Sequence, residues 1–412
     1  MHFLRSILTL SCWLVTSLLA AQSVQRIPSG EVKQLLKKLN VLGSVLYVAA
    51  HPDDENTRLI AYYANEKLFN TAYLSATRGD GGQNLIGPEI RENLGLIRTQ
   101  ELLEARRIDG GAQFFSRAND FGYSKNPIET LSIWDKEKVL EDFVRVIRTV
   151  KPDVIITRFN TLSGTTHGHH TTSALLALEA FDLAGDSSVY PDQLKTLEVW
   201  QPKKLFWNTS SWFYARNKVK FNPEGLYSIN VGTYNPNLGI SYTEMAAQSR
   251  SMHKSQGFGS TGSRGDELEY LELWRGDSSG TDVFGSIDTS WKRVEKSQKI
   301  AQFLLEAQEV YKVENPKPTL GYLLKARQEL LKMSDQYWKE IKLKEINQTI
   351  MAITGTYLEV IADDYSYARG ATVKLSVEAI NRIDFPIKLI ELTIEPWGYN
   401  VELDQVMLYN QK

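Results

Sequence analysis

Apolar residues in this chain fall into short blocks separated by polar, helix-like stretches. Residues 44–50 are almost purely apolar, a run of the length expected for a strand buried on both faces. ENTRLIAYYANEKL (55–68) reads as a helix, and NTAYLSAT (70–77) as a second strand broken by RGDGG. Residues 89–110 form a long amphipathic pattern that stops at Gly110. AQFFS (112–116) reads as a third strand and 135–150 as a helix. PDVIITRF (152–159) reads as a fourth strand, followed by a helix over 170–184. Strands that alternate with helices predict a mainly parallel sheet covered on both faces. Ligands bind such sheets outside the carboxyl ends of the strands.

The pattern weakens from about 200 to 290. KKLFWN (203–208) predicts a strand and 241–255 a helix, while the Gly/Ser-rich 257–285 reads as a long loop carrying a strand. Residues 291–350 are helical, with a break at Pro316 and Pro318. From 354 the period changes to alternating strands: TYLEVIA, ATVKLSVEAI and IKLIELTIEPW. The division expected is a main domain over 22–290, a helical segment over 291–353 and a β-rich segment over 354–412. That last segment is short for a sandwich and is expected to be part of a larger β-domain.

Composition adds exclusions. Of 412 residues, 42% are hydrophobic and 23% charged, with a net charge of −2. No basic excess points to nucleic acid, and no acidic excess points to disorder. Residues 1–21, MHFLR followed by SILTLSCWLVTSLLAA, follow a signal-peptide pattern with cleavage near Ala20 or Ala21. The apolar stretch is shorter than the roughly 20 residues of a membrane span. Thr9, three residues before Cys12, disfavours lipid attachment there. An exported chain without a stable membrane span is therefore expected, in the periplasm, the cell envelope or the medium. Cys12 is the only cysteine. The remainder has no disulfide, thiol nucleophile or thiolate metal ligand, so any metal must be held by nitrogen and oxygen.

Charge gathers at two places. AHPDDE, residues 50–55, follows the first apolar strand directly. Carboxylates at the edge of a core are costly unless something positive compensates them. HGHH, residues 167–170, holds three of the six histidines in the loop after another predicted strand. His167 and His170 share one side of a helical turn. Two histidines and a carboxylate are a common catalytic zinc set that leaves a position open for water.

AHPDDE after a strand, with HxxH about a hundred residues later, closely resembles the PIG-L/LmbE-like zinc-dependent de-N-acetylases over roughly residues 40–260. RGDGG, Arg98 and Glu101 match that family's pattern between the two motifs. The resemblance implies a Rossmann-like α/β fold and removal of acetyl from an N-acetylated amino sugar. It implies Zn2+ held by His51, Asp54 and His170, Asp53 as general base, and His167 as acid or oxyanion stabiliser, in protonated form. Asp53 and Asp54 are adjacent, so those two roles require them to point differently. One departure stands out. Thr165 occupies a position where better-known thiol-pathway members carry Tyr, so that help to the oxyanion is either missing or supplied from elsewhere, with Tyr214 and His169 as candidates.

Other residues carry weaker expectations. Arg98 and Asp120 (in RANDFG) are candidates for substrate contact, and Arg98 alternatively for an ion pair with a core carboxylate. Glu55 is expected to pair with an arginine, His169 to support the site or face solvent, and His253 to be structural. The three RGD triplets, at 78–80, 264–266 and 275–277, are read as turn chemistry. An exported enzyme is expected to act on an extracellular or cell-envelope glycan, not a nucleic acid. The alternatives are a zinc hydrolase of another amide or an ester, and a non-catalytic carbohydrate-binding protein on the same fold.

Overall fold

The computed structural model describes residues 27–280, 282–395 and 398–411. The expected leader, 1–21, and Cys12 lie outside them. Among the described residues the first element is a helix the sequence pattern had not marked, α1 (Ser29–Lys38). Then come β1 (Ser44–Ala49), α2 (Thr57–Asn65), β2 (Asn70–Ser75), α3 (Glu92–Asp109) and β3 (Ala112–Phe115). They are followed by α4 (Pro127–Ile133), α5 (Lys136–Val150), β4 (Val154–Thr157), α6 (Gly168–Leu183), β5 (Lys204–Thr209) and α7 (Ser211–Arg216). Three short strands, β6 (Tyr227–Asn230), β7 (Tyr234–Asn235) and β8 (Ile240–Ser241), lead into α8 (Tyr242–Arg250). β9 (Leu268–Gly276) closes the sheet.

That sheet has seven strands in the order β3-β2-β1-β4-β5-β9-β6. The first five are parallel, and β9 and β6 are antiparallel to their neighbours. β1 is buried at every residue and lies between β2 and β4. Side chains of alternate β1 residues enter two separate cores. Leu46 and Val48 pack against Phe143, Ile147 and Leu176, whereas Val45, Tyr47 and Ala49 pack against Leu59, Tyr63 and Phe206. This explains the unbroken apolar run, because a strand covered on both faces has no solvent side. The chain leaves β1 toward β2 on one side, and β4 occupies the other. The carboxyl end of β1 is thus a point where the strand order reverses, and a crevice opens there.

Three helices form the segment after the sheet: α9 (Gln298–Val310), α10 (Lys317–Leu331) and α11 (Gln336–Thr354). They do not stand apart. With α1 they share a core that includes Leu36, Leu39, Trp291, Leu304, Leu323 and Ile346. Arg293 clamps Asp153, just before β4, through two contacts of 2.7 and 2.8 Å. The Lys342 ammonium is buried and donates to the carbonyls of Lys38 and Val41. The helical segment therefore covers the amino-terminal side of the sheet, opposite the strand ends that form the crevice.

The β-rich remainder holds two antiparallel pairs. β10 (Tyr357–Ala362) pairs with β11 (Leu375–Ile380), and β12 (Ile387–Ile394) with β13 (Tyr399–Met407). Among the described residues, no helix is long and apolar enough to cross a membrane.

Candidate metal centre

The site forms where β1 and β4 end. Ala49 and Ala50 are fully buried, and of the five residues that follow, His51, Pro52 and Glu55 stay buried while Asp53 and Asp54 are half-buried. Asn56 caps α2 by accepting from the amides of Arg58 and Leu59. This leaves the Asp53 and Asp54 carboxylates free of the capping duty that a helix start offers them. The loop after β4 returns to His167, which is the N-cap of α6. Gly168 lies tight against the segment before α4: a β-carbon there would sit 2.3 Å from Ser124 Oγ and 2.4 Å from the Asn126 carbonyl oxygen.

The three expected ligands come together. Asp54 Oδ2 lies 3.0 Å from His51 Nδ1, and Asp54 Oδ1 lies 3.4 Å from His170 Nε2. Donors around a tetrahedral zinc at about 2.0–2.2 Å stand about 3.3–3.6 Å apart, close to these separations. Burial raises the Asp54 carboxyl, but His170 and His51 outweigh it and hold it well below the usual range. Burial likewise works against a proton on His51, and Asp54 outweighs it, so this ring sits above its ordinary value. For His170 burial wins, and the ring sits below. Phe159 stacks flat on His170, with ring centres 3.8 Å apart and planes within 3°. Nδ1 of His167, Nε2 of His169 and Nδ1 of His170 are buried without a hydrogen-bond partner. A cation fits between the ionised Asp54 carboxylate and the imidazole nitrogens that flank it, His51 Nδ1 and His170 Nε2.

Asp53 points elsewhere because its backbone adopts φ = 93°, a conformation that L-residues rarely tolerate. Its Oδ1 meets Arg98 Nη2 at 3.2 Å. Burial raises the Asp53 carboxyl to about 6 despite Arg98. Arg98 is buried and also donates to the carbonyls of Pro52 (2.5 Å) and Gly79 (3.0 Å). Gly79 has φ = +71°, and a β-carbon on it would sit 2.4 Å from the Arg98 guanidinium. The first RGD triplet is thus part of the cradle around Arg98. Of the two expectations for this arginine, the ion pair is the one the structure displays. Glu101 stands further off, accepting from the amide and hydroxyl of Ser255.

His51 has two ring nitrogens and both are engaged. Nε2 lies 3.0 Å from His169 Nδ1 and 4.0 Å from Asp120 Oδ2. His169 is fully buried, stacked on Trp134 and edge-on to Phe121. Asp120 is also buried, 3.8 Å from His169, so it faces histidines instead of open space. Donor atoms of His51, Asp120 and His169 form one possible metal group, and those of His51, His167 and His170 another. The His169 and Asp120 side chains retain 0 and 4% exposure, against 17 and 13% for His170 and Asp54. The latter side is the one a substrate can reach. A ligating histidine ordinarily has its second nitrogen fixed by such a partner.

His167 stands 3.9 Å from His170, ring centre to ring centre. Burial, with His170 and His51 nearby, pushes its ring down to about 3. This environment works against the protonated His167 that the resemblance implies and favours the neutral ring, which can still offer one N–H. Thr165 is buried and donates to Asn217. Tyr214 lines a cavity with Trp207 and Trp274. The tyrosine beside His167 is instead Tyr123, with ring centres 5.7 Å apart. Sequence reasoning missed it, since one exposed loop tyrosine carries no signal. Glu55 meets the expected arginine, Arg106, at 3.3 Å, and His253 at 2.9 Å. Burial opposes its charge, but His253 and Arg106 hold it at about 2.

A Rossmann-like sheet with imidazoles and paired carboxylates at its switch point defines the class of protein. Residues 46–181 match the model of the PIG-L family, described as GlcNAc-PI de-N-acetylase. Mycothiol S-conjugate amidase of Streptomyces coelicolor is 29% identical over 179 residues, covering 40% of this chain and 60% of that protein. The 1D-myo-inositol 2-acetamido-2-deoxy-alpha-D-glucopyranoside deacetylase of Streptomyces scabiei is 30% identical over 183 residues, covering 40% and 55%. The match thus spans 55–60% of the length of these two relatives. Among solved structures, N,N'-diacetylchitobiose deacetylase from Pyrococcus horikoshii aligns at 16% identity with a TM-score of 0.38, covering 57% of this chain and 82% of that one.

Proposed function

We propose that the chain is a zinc-dependent amidohydrolase that removes acetyl from an N-acetylated amino sugar. One observation carries this reading: adjacent carboxylates diverge, Asp54 toward His51 and His170, and Asp53 toward Arg98. A purely structural cluster gains nothing from a strained residue that separates two like charges, whereas hydrolysis needs one ligand and one base. The family match and the names of the relatives agree with it.

His51, Asp54 and His170 would hold the metal, which when bound supplies a Lewis acid for the amide carbonyl and acidifies water. Arg98 fixes Asp53 Oδ1 and leaves Oδ2 to take a proton from the attacking water. His167 offers its N–H to the oxygen that gains charge as the carbonyl carbon becomes tetrahedral. The C–N bond then breaks, the nitrogen receives the proton held by Asp53, and a free amine and acetic acid leave, the acid giving its remaining proton to solvent to become acetate. Asp120 and His169 position His51 and do not touch substrate. Metal analysis of the purified chain, with amine release from a panel of N-acetyl sugars, tests this reading. Absence of both metal and amine would reject it.

Export belongs to the same proposal. It is supported by the leader pattern of residues 1–21, and favours a glycan of the cell envelope or medium as substrate. N-terminal sequencing that finds Met1 on the exported protein would reject cleavage.

A further inference from the structure

Beside the metal centre lies a second cavity, of about 390 Å³, to which the chemistry above gives no role. Its walls come from the loop after β4, the end of β5, the α7 turn and β9. Its lining carries both flat apolar surface and unspent polarity. Trp207 and Trp274 stack with ring centres 5.9 Å apart and planes 26° from parallel. Tyr214 adds a third ring. Trp207 is only 7% exposed, yet its Nε1–H has no partner. Asn160 is 4% exposed; its Oδ1 accepts from the Leu162 amide, while Nδ2 has no partner. Glu272, whose Oε1 accepts weakly from Trp274 Nε1 at 3.3 Å, supplies a carboxylate.

Buried donors without acceptors are costly and rare in finished cores, so two of them around one cavity point to a ligand that carries acceptors. The ligand must also offer an apolar face to an indole and hydroxyl donors to a carboxylate. It must not be an anion, because Glu272 would repel it. A neutral pyranose ring has all of these features. The volume lies within the usual range for small-molecule pockets, about 300–1,000 Å³.

The cavity shares a wall with the metal centre. Phe159, stacked on His170, immediately precedes Asn160. Thr165, two residues before His167, bonds to Asn217 on the opposite wall. One loop therefore borders both places. We infer that the cavity binds a second pyranose ring of an oligosaccharide whose N-acetylated residue lies at the metal centre. The preferred substrate is then a chain of at least two sugars. This inference rests on the amidohydrolase reading, which it deepens.

The test is calorimetric titration of the full chain, metal-loaded and metal-stripped, with N-acetylglucosamine and with its β-1,4-linked trimer. The trimer is expected to bind about five- to ten-fold tighter than the monomer in both forms, the order that one aromatic stacking contact supplies. Trp274→Ala should bring the two affinities within about two-fold of each other, and Trp274→Phe should restore most of the difference. Glu272→Gln, which keeps shape and stacking, should also reduce the preference; it serves if Trp274→Ala does not fold. Equal affinities of wild type for monomer and trimer would overturn the inference, as would a folded Trp274→Ala that keeps the full preference. If the trimer preference holds but no amine is released from any N-acetyl sugar, the amidohydrolase reading fails and the cavity's assignment as a sugar site stands.

Discussion

Exchanging each of two neighbouring carboxylates for its amide separates ligand from base. In Asp54→Asn, a neutral oxygen replaces one that lies 3.0 Å from His51 Nδ1 and 3.4 Å from His170 Nε2. At about 3 Å and an effective dielectric of about 20, a pair of unit charges is worth about 5 kcal/mol. Relief of desolvation and the remaining amide oxygen return part of that, so a net loss of about 3–5 kcal/mol in metal binding is expected. This corresponds to about 10²–10⁴-fold in affinity. Asp53→Asn loses no ligand. Arg98 keeps its bonds to the Pro52 and Gly79 carbonyls, so its position survives. The variant should bind zinc normally and turn over about 10²–10⁴-fold more slowly, the usual contribution of a general base. Chelator competition gives zinc affinity, and amine release from a hydrolysed N-acetyl sugar gives rate. If Asp53→Asn empties the site while Asp54→Asn leaves affinity unchanged, the two roles are exchanged. If both retain full zinc affinity and full rate, the chemistry lies elsewhere.

Other expectations follow from contacts further out. His169→Ala removes the partner of His51 Nε2 and should weaken zinc about 10–100-fold by chelator competition, with the protein still folded by circular dichroism. Stripping metal should lower the melting temperature in calorimetry, and restored zinc should raise it again, because the ion binds only the folded arrangement. Glu55→Gln breaks a buried ion pair with Arg106 and the contact with His253. A loss of about 3 kcal/mol in urea denaturation is expected, and a change below about 0.5 kcal/mol would show that the network contributes little. Arg293→Met leaves the fully buried Asp153 without its cation and should cost about 3 kcal/mol, with faster proteolysis at the junction before α9.

Local pattern by itself determined the strands β1 to β5, most of the long helices, and the ends at which the two charged motifs stand. Buried parallel strands read as apolar runs and amphipathic helices as periodic ones, because each signal comes from a residue's own surroundings. The resemblance carried by AHPDDE and HGHH, and not donor chemistry alone, pointed to His51, Asp54 and His170 as the ligand set. The tertiary structure decided what depends on distant partners. Strand order places β1 beside β4 and so brings residue 51 to residues 167–170, a closure no local pattern encodes. The φ of Asp53 directs its carboxylate to Arg98 and away from Asp54. Burial keeps His169 against His51 and disfavours a proton on His167. α1 joins the helical segment because its apolar stripe finds a partner more than 250 residues away, as the Trp291 contact with Leu39 illustrates. Tyr123, Trp207 and Trp274 gained their places the same way: an aromatic residue's role is set by what packs across from it, and that is known only once the chain has closed.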